Sequence, residues 1–178
     1  MVRIADPGMF EWVSSGGGPL IAMPQAVLQS WHGCDFESTS TDDDYGRACE
    51  VDDHVGVIPV GPAGALVLRD PDLTTYLPEY GVFVRWHSGE SEDAVLDTIE
   101  LALRTATWEA ETVWRIQGPL VLFDSGRPGT PRPGTESDHD DRLAIDIPAG
   151  HYAVRSAHVT PNPQTCLTLV QLAQLDDE

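Results

Sequence analysis

The chain has 178 residues, 41% of them apolar, which suits one domain with a substantial core. Its 29 acidic residues against 10 basic ones leave a formal charge of −19, and every basic residue is an arginine. Such a field excludes nucleic acid and anionic membrane as partners, because both must be held by cationic groups, and it speeds encounter with a basic protein. The same balance also arises from solubility, or from adaptation to a salty or GC-rich host. No stretch approaches the roughly 18 uninterrupted apolar residues of a membrane span. Met1 to Phe10 lacks the basic and then apolar regions of a signal peptide. Cys34, Cys49 and Cys166 are odd in number and widely spaced, so they read as reduced thiols in the cytoplasm.

In chain order, Phe10 to Val13 reads as a short strand, and the Ser14–Pro19 stretch, with three glycines in a row, forces a break. Leu20 to Met23 is apolar. Pro24 to Trp31 suits a short helix with proline in its first turn. Asp42 to Asp53 is acidic and matches no periodicity. Strands follow at Val55–Val60, Ala65–Leu68 and Val82–Trp86. Ser91 to Ala106 predicts the one main helix, capped by Ser91 and opened by Glu92 and Asp93. Val95, Leu96, Ile99, Ala102, Leu103 and Ala106 share one arc of it, and Glu100 and Arg104 are spaced as an i,i+4 pair. Glu111–Gln117 and Leu120–Asp124 are strands, and Ser125 to Asp141 is polar and glycine- and proline-rich, a mobile loop. Leu143 to Ile147 alternates as a half-buried strand; His151–Val159 and Cys166–Leu172 complete the set. The expectation is an α+β domain spanning 1–178, mostly antiparallel β-sheet with helix 91–106.

Gly18-Pro19-Leu20-Ile21 recurs as Gly118-Pro119-Leu120-Val121. At an offset of 86, Pro62-Ala63-Gly64 recurs as Pro148-Ala149-Gly150, and Val82–Val84 falls on Thr168–Val170. These echoes suggest degenerate halves over 10–106 and 110–175, although Gly-Pro-Leu and Pro-Ala-Gly are also common turn tripeptides.

Motifs for chemistry are sparse. The glycines at 16–18 are not a phosphate loop: no Lys-Ser/Thr follows, and Pro19 lacks the amide a phosphate needs. They are better explained by positive φ or close approach. Asp138, His139, Asp140 and Asp141, like Asp52, Asp53 and His54, are adjacent along the chain rather than convergent, unlike zinc ligands. Ser125 lies in no nucleophile elbow, and nothing in the spacing joins Cys49 to His54 or His151. No catalytic residue, metal or cofactor is assigned. Of the five tryptophans, Trp12 and Trp114 precede the two Pro-Leu strands and are expected in the core.

Several segments together carry a family resemblance: Trp12 through Ile21, Met23-Pro24 to Gly33, Asp44 through Cys49, and Ala65–Leu68. Thr74–Pro78, Val84–Trp86, Gly118–Ser125, Leu143–Tyr152 and Leu167–Leu172 continue the series. In this order they resemble immunity protein 21 of bacterial polymorphic toxin systems. The resemblance implies an α+β cytoplasmic protein that binds and neutralises a cognate toxin, with no catalytic residues to carry over. An acidic inhibitor suits a basic toxin, and Asp42, Asp43, Asp44, Asp52 and Asp53 are the contact candidates. Trp12, Ser14, Gly17, Gly18, Pro19, Tyr45, Arg47, Cys49, Arg85, Trp86 and Asp124 are motif residues expected to serve structure. Two alternatives stay open: an enzyme with a cleft between the halves, and an adaptor with an exposed apolar patch.

Overall fold

The computed structural model describes residues 10–34, 43–131, 133–134 and 141–176. Among the described residues, ten strands form two five-stranded sheets, and every pairing is antiparallel. The first sheet runs in the order β2 (Val55–Val60), β3 (Ala63–Leu68), β1 (Leu20–Pro24), β7 (Leu120–Asp124), β8 (Leu143–Ile145). The second runs β4 (Leu73–Leu77), β5 (Val82–Ser88), β10 (Thr165–Gln174), β9 (Gly150–Asn162), β6 (Glu109–Ile116).

The apolar pattern explains the layering. Leu20 and Ala22 of β1 point between the sheets with Leu66, Leu68, Leu120 and Leu122, against Phe83, Trp114, Tyr152, Val154, Val170 and Leu172 of the other sheet. Ile21 and Met23 point outward, beneath the 310 helix Gln25–Ser30 and α1 (Asp44–Cys49), with Val27, Trp31, Ala48 and Phe123. A strand covered on both faces must be apolar throughout, and β1 is fully buried along its length. The outer face of the second sheet lies under α2 (Glu92–Leu96) and α3 (Ile99–Thr105), which contribute Val95, Ile99 and Ala102 to a third apolar cluster. Helices therefore cover both outer faces of a sandwich.

Three local expectations need correction. The single helix 91–106 is two helices. Ser91 caps the first as expected, accepting from Ala94 N at 3.2 Å. At Thr98, however, both the amide and the hydroxyl turn back to the Val95 carbonyl, at 3.1 and 2.7 Å. That tight i→i−3 closure interrupts the regular ladder, as threonine hydroxyls can do. The apolar arc survives the break because Val95, Ile99 and Ala102 still face the sheet. Among the described residues no ion pair joins Glu100 to Arg104; the Glu100 carboxylate faces the Tyr80 hydroxyl at 3.5 Å instead. Finally, Phe10 to Val13 contributes only one bridge, Val13 to Thr74, along the outer edge of β4.

The Gly-Pro-Leu segments open β1 and β7, which are antiparallel neighbours with Leu20 opposite Asp124 and Pro24 opposite Leu120. Val82–Val84 and Thr168–Val170 are likewise neighbours, on β5 and β10. Ala63-Gly64 and Ala149-Gly150 are not: they open β3 and β9, in different sheets.

Candidate functional site

Segments far apart in sequence converge where β1 begins and β7 ends. The Asp124 carboxylate ties two glycine loops together, accepting from Gly16 N at 3.0 Å and from Gly126 N at 2.9 Å. Gly17 holds φ +119°, a conformation side chains rarely adopt. Gly18 is needed for a different reason: a Cβ there would lie 2.5 Å from the Tyr45 hydroxyl. The Pro19 carbonyl accepts from Ser125 Oγ at 2.6 Å, and the Ser125 carbonyl accepts from the buried Trp31 indole at 2.9 Å. Gly33 packs its backbone on Gly126 and Arg127, where a Cβ would come within 2.6 Å. The loop expected from 125 to 141 therefore begins with a pinned turn, since Arg142 also holds the Pro128 and Gly129 carbonyls at 2.8 and 2.7 Å. Of this loop, residues 132 and 135–140, including Asp138, His139 and Asp140, lie outside the described residues.

Tyr45 closes the cluster from above. Its hydroxyl donates to the Cys49 sulfur, and that bond, then burial, then the nearby Cys49, Asp124 and Cys34 push its ionisation up to about 12. The Cys49 thiol thus faces a tyrosine. His54 stands 3.4 Å from Asp70.

The five aspartate candidates separate. Asp43 caps α1, accepting from Gly46 N at 2.7 Å. Asp44 accepts from the His32 amide at 2.7 Å and pairs with Arg47 at 2.9 Å, while Arg47 also reaches the Pro59 carbonyl. These two carboxylates hold the segment together through internal bonds. Asp52 and Asp53 remain exposed on the turn between α1 and β2, and neither side chain has a hydrogen bond or ion pair among the described residues. The turn itself is anchored, because Arg69 donates to the Asp52 carbonyl at 2.7 Å. Asp42 lies outside the described residues.

The other motif residues sit elsewhere. Trp12 meets Trp86 edge-on, with ring centroids 5.5 Å apart on the outer face of the second sheet. Ser14 donates to Asp141 at 2.9 Å. Arg85 is 1% exposed, bonded to Thr74 Oγ1 at 3.3 Å and to the Asp70 carbonyl. Burial lowers its pKa, opposed in part by Asp72 and Asp70. An open recess of about 300 Å³ lies between the end of β1 and the β6–β7 turn, lined by Pro24, Gln25, Ala26, Gln117, Gly118 and Pro119. Its walls carry no ionisable side chain.

The order of these converging segments is that of one family: the sequence pattern of immunity protein 21 matches residues 11–165. The chain belongs to the immunity protein 21 family. None of the curated proteins or solved structures compared with it matches. In this member, Gly18, Pro19, Tyr45, Cys49 and Asp124 meet at one corner, while Arg47 bonds Asp44 and the Pro59 carbonyl. Trp12, Arg85 and Trp86 stabilise the second sheet. The immunity protein's acidic turn has no motif signal beyond its paired aspartates. It is anchored and directly follows α1. Among the described residues, no helix is long and apolar enough to cross a membrane.

Proposed function

We propose that this immunity protein neutralises its cognate toxin by binding it through the acidic turn between α1 and β2, with Asp52 and Asp53 as principal contacts and the adjacent Glu50 as a third. Two unpartnered carboxylates on an anchored, exposed turn carry the reading, in a chain whose family is one of immunity proteins. Their backbone needs little ordering on binding, which lowers the cost of association. With a formal charge of −19 behind them, the fitting partner is basic. The chain acts as one binding unit in the cytoplasm and needs no catalysis for this role.

The test is co-expression with the toxin encoded beside it. The native chain rescues growth and co-purifies with the toxin. An Asp52→Lys/Asp53→Lys variant that folds normally loses both. Rescue without a complex would favour an enzyme that inactivates the toxin.

A further inference from the structure

We infer, resting on the binding reading above, that Arg69 is the positioning residue of the toxin-binding turn: it fixes the backbone of Asp52–His54 while leaving the carboxylates of Asp52 and Asp53 free to meet a basic partner. Arg69 directly follows β3, whose last residue, Leu68, is opposite Val55 of β2. One further rung of the ladder brings Arg69 to His54, and the Arg69 amide donates to the His54 carbonyl at 3.0 Å. From there the side chain reaches back along the turn, and its guanidinium donates to the Asp52 carbonyl at 2.7 Å. One residue thus grips both ends of the segment. The neighbouring Asp70 carboxylate adds a contact of its own, 3.4 Å from His54 Nδ1.

The grip is braced from the second sheet. Residues 69–72 connect β3 to β4, and those strands belong to different sheets. Arg85 of β5, 1% exposed, donates to the Asp70 carbonyl and to Thr74 Oγ1, the latter at 3.3 Å. A buried guanidinium is costly unless its donors are met, so Arg85 keeps this crossing in one place. The buried arginine holds the crossing, and the crossing holds the turn.

An arginine beside two aspartates could pair with either, yet no ion pair joins Arg69 to Asp52 or Asp53 among the described residues. Its donors go to backbone carbonyls instead, and the carboxylates keep their charge for a partner. The guanidinium still lowers the negative potential around the turn, so its charge alone opposes a cationic toxin. Holding the backbone acts the other way. In a loose turn only a fraction of molecules present both carboxylates together, and apparent affinity falls by that fraction. Removing Arg69 therefore weakens binding if the hold dominates and tightens it if the charge dominates.

Calorimetric titration of the purified cognate toxin with the native full-length chain, Arg69→Met, Arg69→Lys and Asp52→Lys/Asp53→Lys tests this. Methionine keeps an unbranched stem and removes both charge and donors. Arg69 is exposed, so Arg69→Met is expected to melt within about 2 °C of native. Its affinity is expected to fall about tenfold, although a positive charge has been lost. Arg69→Lys, which keeps a donor, is expected to fall between the two. Arg69→Met binding as tightly as native or more tightly, while the aspartate variant binds weakly, overturns the inference and leaves the binding reading standing. An aspartate variant that binds like the native chain overturns the reading itself. Should Arg69→Met fail to fold, amide exchange in the native chain decides: an Arg69 amide exchanging at the rate of an unstructured peptide overturns the inference, and a protected one upholds it.

Discussion

The corner where β1 meets β7 and the acidic turn beside it are built on opposite principles. In the corner, nearly every polar atom is used internally: Asp124 holds two loops, Ser125 holds Pro19, and Tyr45 holds Cys49 while filling the space over Gly18. On the turn, the backbone is held by Arg69 and the Asp52 and Asp53 carboxylates are left to solvent. One region therefore uses its polar groups to shape the surface, while the other leaves two carboxylates available beside it. Substitutions should separate the two regions, with stability reporting on the corner and binding on the turn.

The largest stability effect is expected beneath the corner. Phe123→Ala on β7 empties a fully buried position packed with Trp31 and Met23, and should cost about 3–5 kcal/mol, read by denaturant unfolding. Gly18→Ala comes next. Its methyl group cannot share space with the Tyr45 ring, so Tyr45 must leave Cys49, at a cost of about 1–3 kcal/mol. A Gly18→Ala variant as stable as the native chain would show that the corner is loosely packed.

Tyr45 also predicts an alkaline signature. Its ionisation lies near 12 in the folded chain against 10.0 when exposed, so the unfolded chain loses the proton first and stability falls as pH rises through that interval. The melting temperature should drop between pH about 10 and 12, and less steeply in Tyr45→Phe. Burial raises Tyr76 to about 12 as well, and Tyr80 and Tyr152 are also raised, so part of the drop remains in Tyr45→Phe. Smallest in stability are Asp52→Asn and Asp53→Asn, expected within about 0.5 kcal/mol of native because neither carboxylate has an internal partner.

The sheets were largely legible in the sequence because their apolar runs are bounded by glycine and proline. Leu120–Asp124 matches β7 at both ends. β4 escaped periodicity because Thr74 and Thr75 are polar yet buried, satisfied by the Asp72 and Glu11 carbonyls. Helix α1 escaped because it is one short turn with a central glycine and a single buried residue, Ala48; its clue was the Asp43 cap. The site was legible only in part. Spacing marked Gly17 and Gly18 as places of unusual backbone, but it cannot say which aspartates turn inward. That depends on where His32, Arg47 and Gly46 lie in space.

The most direct test of the account is calorimetric titration of the cognate toxin with the native chain and with the Asp52→Lys/Asp53→Lys variant, both shown to melt alike. Binding by the native chain that weakens at least about a hundredfold in the variant is the predicted result, from the loss of two attractive charges and the gain of two repulsive ones. Equal affinities would place the toxin on another face and contradict the account.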